Sequence, residues 1–69
     1  MIIETEWPGV VREVHISVGD DIVAGQDLFT LEAMKMLQPV VAPRPGRVTA
    51  IHVAVDDFVN PGMPLATIE

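Results

Sequence analysis

The sequence predicts an all-β domain, a small sandwich or flattened barrel with a quasi-two-fold axis. Three observations predict it. The chain repeats itself at a fixed offset, β-branched residues alternate with polar ones, and turn residues fall at matching places in both repeats.

The repeat is gapless. Residues 8–32 align with 45–69, and ten of the 25 aligned positions are identical. Pro8-Gly9 meets Pro45-Gly46, Val11 meets Val48, His15 meets His52, and Val18-x-Asp20 meets Val55-x-Asp57. Gly25, Leu28, Thr30 and Glu32 meet Gly62, Leu65, Thr67 and Glu69. Conservative pairs extend the match: Val14 with Ile51, Ile16 with Val53, Ile22 with Val59, Leu31 with Ile68. Two such halves, each too small to cover its own apolar face, imply a quasi-symmetric unit.

Each half reads as β-structure. Val14, Ile16 and Val18 alternate with His15 and Ser17, and Ile51, Val53 and Val55 alternate with His52 and Ala54. Period two over branched residues predicts a half-buried strand over 14–18 and another over 51–55. Turns are expected at Pro8-Gly9 and Pro45-Gly46, at 19–21 and 56–57, and at Ala24-Gly25 and Pro61-Gly62. Gly25 and Gly62 are expected at positive φ. Closing the sheet would protect the edges of so valine-rich a chain.

The segment 28–37, LFTLEAMKML, is made mostly of good helix formers. The repeat argues against a helix. Residues 28–32 align with 65–69, where the second copy reaches the end of the chain. The reading is therefore strand, tight turn over Ala33-Met34-Lys35-Met36, strand. That turn holds no Gly, Asn, Asp or Pro. A turn built from poor turn formers breaks a local rule, and such breaks tend to mark function. It lies at the joint between the halves.

Bulk properties narrow the function. With 69 residues, one domain over 1–69 is expected. Hydrophobic residues make up 49% against 20% charged, which argues for a packed core rather than disorder. No cysteine is present, so disulfides and thiol chemistry are excluded. The net charge of −6 offers no basic footprint for nucleic acid and disfavours an anionic membrane surface. No apolar run approaches the roughly 20 residues of a spanning helix. No basic stretch leads into an apolar one, so a cytoplasmic protein is expected.

Lys35 is the only lysine. At a hairpin tip it would offer a primary amine with a free path to an activated carboxyl group. A lysine ammonium is neutral in only about one molecule in a few thousand at pH 7, so an enzyme must deprotonate and position it. Met34 and Met36 are unbranched and polarisable, suited to a partner's pocket or an apolar cofactor. Strict alternation puts both on one face and Lys35 on the other, which leaves room for one methionine in the core.

Glu32-Ala33-Met34-Lys35-Met36 resembles the attachment motif of the biotinyl domain family, of the biotin carboxyl carrier type. The context is similar too: Gly19-Asp20 and Gly25-Gln26 before it, Ala42-Pro43 and Pro45-Gly46-Arg47-Val48 after it. The resemblance covers nearly the whole chain, from about Pro8 to Glu69. It implies a barrel-sandwich hybrid: a flattened barrel of two four-stranded antiparallel sheets. It implies biotin, covalently held on Lys35, with Met34 and Met36 as recognition flanks and Glu32-Ala33 leading into the turn. The implied role is a non-catalytic carrier, modified by a biotin protein ligase and moving between a biotin carboxylase and a carboxyltransferase. Trp7 stands where the family often has methionine, and Pro39 where a polar strand residue is more usual. Proline cannot donate to a ladder, so Pro39 is expected on an edge or at a strand start. Some members carry a protruding insertion, the thumb, in the first half; the gapless repeat leaves no room for one.

Two other readings stand beside this one. A lipoyl carrier shares the fold and the lysine position, but that class usually places an acidic residue and often alanine around its lysine. A barrel-sandwich binding module that leaves the lysine unused is the other. His15 and His52 occupy equivalent positions, yet both lie on the outward phase of their strands, and no metal is expected there. Asp20-Asp21 and Asp56-Asp57 resemble paired acids, but turn positions explain them, since Asp bonds nearby backbone. Arg44 and Arg47 are expected to be solvated. Trp7 is expected to cover one end of the core.

Overall fold

The computed structural model describes all 69 residues, and every regular element in it is a strand. The strands are β1 (Ile2–Glu4), β2 (Gly9–Val14), β3 (Asp21–Ile22), β4 (Asp27–Ala33), β5 (Met36–Val41), β6 (Gly46–Ile51), β7 (Phe58–Val59) and β8 (Pro64–Ile68). They form two four-stranded sheets, ordered β1-β8-β6-β3 and β5-β4-β2-β7, with every pairing antiparallel.

The repeat is the symmetry of the fold. Moving each strand to its aligned partner turns the first sheet order into the second. The registers follow: Ile2 opposes Thr67 as Pro39 opposes Thr30, and Asp21 opposes Arg47 as Phe58 opposes Val10. Even the irregularities repeat, with a shift between Val11 and Glu13 matched by one between Val48 and Ala50. Pro39 lies on β5, an edge strand, where its missing donor faces no neighbour.

The halves are interlocked by their loops. Gly19 N donates to Val48 O at 2.8 Å and Val48 N donates to Asp20 O at 2.9 Å. The mirrored pair is Asp56 N to Val11 O at 2.7 Å and Val11 N to Asp57 O at 2.9 Å. Each loop thus satisfies backbone groups on a strand of the other half. The same loops correct the sequence reading. The alternating runs over 14–18 and 51–55 are not strands of their own, because β2 ends at Val14 and β6 at Ile51. Asp20 Oδ2 accepts from Ser17 N at 2.8 Å, and Asp57 Oδ2 accepts from Ala54 N at 2.9 Å. These side-chain bonds capture the backbone into turns before a ladder can continue. Ile16 is still buried, while Val18 and Val55 are exposed. Gly25 and Gly62 have φ of 83° and 88°, the left-handed values their turns require.

One core lies between the sheets. Its fully buried members come largely in related pairs: Leu28 with Leu65, Leu31 with Ile68, Val11 with Val48. One pair breaks the rule. Phe29 and Ala66 occupy equivalent positions, both fully buried in the same cluster. The pair gives the shared cluster one large and one small side chain, where two phenylalanines would add volume to a closed core. No buried side-chain polar atom lacks a partner.

Candidate functional site

The hairpin β4–β5 pairs Ala33 with Met36, which leaves Met34 and Lys35 as a two-residue turn. Their φ values are 53° and 64°. Positive φ at both central positions is the type I′ geometry, whose backbone twist matches the flanking strands. Asn-Gly is the favoured sequence for it; Met and Lys each cost about 1–2 kcal/mol there. The turn holds because β4 is pinned by Leu28, Phe29 and Leu31, all fully buried, and because the ladder runs on through Leu31–Gln38 and Glu32–Leu37. Backbone strain held by a rigid frame is common at functional sites; Asp56, at φ 78° in the loop before β7, is the other non-glycine residue at positive φ.

Lys35 is exposed and takes part in none of the chain's ion pairs. Met34 is 85% exposed and Met36 is 62% exposed. Neither enters the core, which corrects the reading that left room for one there. Met34 projects from the turn itself, and Met36 starts β5 opposite Ala33 at the open end of the sheet. Ala33 is buried, and its small size has a reason: β2 starts directly behind it. A Cβ on Gly9 would lie 2.6 Å from Glu32 O and 3.3 Å from Ala33 Cβ.

Glu32 is held from the neighbouring strand. Arg12 Nη2 donates to Glu32 Oε2 at 3.0 Å, and Arg12 Nη1 lies 3.5 Å from Asp56 Oδ1. The hydrogen bond to Glu32, then its charge, raise the Arg12 pKa further above its ordinary value. So exposed an ion pair adds little stability; its effect is to orient Glu32. Arg12 sits where the β2–β4 register shifts, and a bulge re-aims a side chain in this way. The sequence reading missed this residue, because alternation alone does not reveal a bulge.

Trp7 departs from expectation. It is 51% exposed and is not part of the core cluster. It flanks the tip instead. With Ala33, Met34, Met36 and Gln38 it lines an open groove of about 250 Å³ beside Lys35. A second groove of about 280 Å³ shares Trp7 and Gln38 and runs along β5 past Pro39, Val40 and Val41.

The other singled-out residues lie away from the tip or serve the scaffold. His15 Nε2 is 2.8 Å from Thr30 Oγ1, and His52 Nε2 is 2.9 Å from Thr67 Oγ1, a mirrored pair of local bonds. Arg47 Nε donates to Asp21 Oδ1 at 3.2 Å. No three His, Cys, Asp or Glu side chains are arranged to hold a metal ion. No helix is long and apolar enough to cross a membrane.

The family described as "Biotin-requiring enzyme", the biotin/lipoyl family, matches residues 1–68. The chain belongs to the biotin/lipoyl attachment family. Within it, the chain is 42% identical over 48 residues to the biotin/lipoyl attachment protein of Bacillus subtilis, covering 70% of this chain and 66% of that protein. It is 46% identical over 61 residues to the biotin carboxyl carrier protein of Streptococcus mutans, covering 88% of this chain and 47% of that one. The chain therefore spans between about half and two-thirds of these relatives. The crystal structure of Kluyveromyces lactis urea carboxylase contains the same fold, with a TM-score of 0.93 and 30% identity over all of this chain and 6% of that enzyme. The biotin/lipoyl fold of two four-stranded antiparallel sheets, expected from the resemblance, is the fold observed. The loop of this member from β2 to β3, residues 15–20, equals its mate at 52–57 in length, so no thumb interrupts the first half.

Proposed function

We propose that residues 1–69 act as a biotin carrier domain, with biotin joined to Lys35 in an amide. The observation that supports this most is the geometry of Lys35: an exposed, unpaired amine on a strained two-residue turn, with a methionine on each side. The fit to the group is chemical. An amide with biotin's carboxyl group needs one accessible primary amine. Lys35 is the only side-chain amine of the chain. Biotin, when bound, supplies a ureido nitrogen that takes up and releases a carboxyl group.

The chain's own residues present and support. The β4–β5 ladder fixes where the amine stands, so a ligase meets a preformed target rather than a flexible loop. Met34 and Met36 offer apolar, adaptable contacts to that ligase. Ala33 keeps the approach to the turn narrow, and Glu32, oriented by Arg12, gives the tip an acidic side. A biotin protein ligase would remove a proton from the Lys35 ammonium; the amine then displaces the activating group from the biotinyl carbonyl. The carrier so formed would serve a biotin carboxylase and a carboxyltransferase, the domain itself performing neither reaction. A cysteine-free chain suits a reducing compartment, and we place it in the cytoplasm.

Mass spectrometry of the chain from a biotin-replete host tests the reading. One biotinyl adduct on Lys35 is expected, and Lys35→Ala should lose all of it. The substitution should leave the melting temperature within about 3 °C, because an exposed tip residue costs under about 0.5 kcal/mol. A lipoyl adduct at Lys35, or a Lys35→Ala chain that still binds streptavidin, would overturn it.

A further inference from the structure

The geometry points to a resting seat for the biotin ring in the groove between Trp7 and the hairpin tip. This rests on the reading of Lys35 as the attachment point. It adds that the domain holds its own cofactor when no partner does.

Position comes first. The groove is lined by Met34 and Met36, the residues on either side of Lys35. A ring tethered at Lys35 is therefore presented to it at an effective concentration in the millimolar range, and a weak seat suffices. Size comes second. About 250 Å³ lies below the roughly 300 Å³ at which drug-sized pockets begin, so the groove takes a small bicycle and leaves the arm outside.

Chemistry comes third. Biotin's bicycle has an apolar sulfur-containing ring fused to a cyclic urea. Trp7, Ala33, Met34 and Met36 supply an apolar lining, and Trp7 supplies a half-exposed aromatic face for the sulfur ring. Gln38 is the one polar residue in the lining. It lies on edge strand β5 opposite the fully buried Leu31. Its carboxamide takes no part in the side-chain hydrogen bonds within the chain. A carboxamide carries an acceptor oxygen and a donor NH₂ side by side. A cyclic urea carries a donor N–H beside an acceptor C=O. The two edges are complementary, so Gln38 can pair with the ring while the indole packs against its sulfur half.

Trp7 is the sole tryptophan, which makes the test direct. Apo and fully biotinylated forms of the 69-residue chain are compared by quenching of indole fluorescence with acrylamide, after mass spectrometry of each. Trp7 in the biotinylated chain should be quenched at least about twofold less efficiently than in the apo chain. The association rate of streptavidin with the biotinylated chain is then measured for wild type, Trp7→Ala and Gln38→Leu. Each substitution should raise it by about fivefold, the ratio for a ring seated about four-fifths of the time in the wild type. Complete biotinylation with equal quenching and equal association rates would overturn the seat and leave the carrier reading intact. A chain that acquires no biotin would overturn both.

Discussion

At the hairpin end of the molecule β4 passes into β5 through Met34 and Lys35; at the related end β8 lies beside β1 with no connecting turn. The ladders are alike. Ile68 N donates to Met1 O at 2.7 Å and the Met1 amine donates to Ile68 O at 2.7 Å, in the place that Leu31 and Gln38 take at the hairpin. A strand pair with the same register thus forms with a turn and without one. The register is therefore one that core packing alone can set, which leaves the tip sequence room to answer to something else. Its strain and its exposed methionines fit that freedom.

The second contrast between the halves is in the core, and it carries the largest expected effect. Phe29→Ala should cost about 3–5 kcal/mol, the usual range for emptying a buried aromatic site. For so small a domain that is most of the stability. Adding Ala66→Phe in the same chain should recover part of the loss, because the two positions are exchanged by the quasi-axis and share one cluster. Denaturant unfolding of the single and double variants gives the coupling. A double variant no more stable than Phe29→Ala would show that the halves are alike in backbone only.

Next in size is a comparison of the two close approaches. Gly9→Ala pushes a Cβ against Glu32 O and Ala33, whereas Gly46→Ala pushes one against the Ile68 side chain and Glu69 O. Either overpacking should cost about 1–3 kcal/mol. Only Gly9→Ala displaces the residues that lead into the tip. It should also slow enzymatic biotinylation several-fold, measured at a temperature where both variants are folded, while Gly46→Ala should not. Equal slowing in both would mean that the tip is coupled to the far end of the barrel through the core.

The symmetric frame was legible because it is written twice. The sequence reads Pro8-Gly9 and Pro45-Gly46 as turns; the bends fall just before them, at 6–7 and 43–44, and the two glycines open β2 and β6. The matched leucines, valines and isoleucines form the core. The turn over 33–36 was legible by elimination, since the repeat forbade a helix that composition favoured. Less visible was whatever depends on a single residue of extra length or on tertiary position. The strands β3 and β7 have two residues each, too few to show a period. Arg12 reaches Glu32 from a register shift that alternation does not encode. Trp7 read as a core cover because of its size, yet the chain brings it beside the tip, and Gln38 gave no signal at all until β5 was placed on an edge.

The smallest predicted effect probes the turn itself. Asn tolerates the left-handed region that Met34 occupies at φ 53°, because its short polar side chain can bond locally. Met34→Asn should therefore stabilise the domain by about 0.5–1 kcal/mol, a rise of several degrees in melting temperature for a chain of this length. The same change removes an apolar contact that we assign to the ligase, so biotinylation of Lys35 should slow. A variant that is both more stable and more poorly modified would place the strain and the recognition on one residue, at the one end where the ladder is closed by a turn. An unchanged melting temperature would instead leave Lys35, at φ 64°, as the position where the turn's strain is felt. In that case the position that must keep its side chain for chemistry would be the position the scaffold strains to hold.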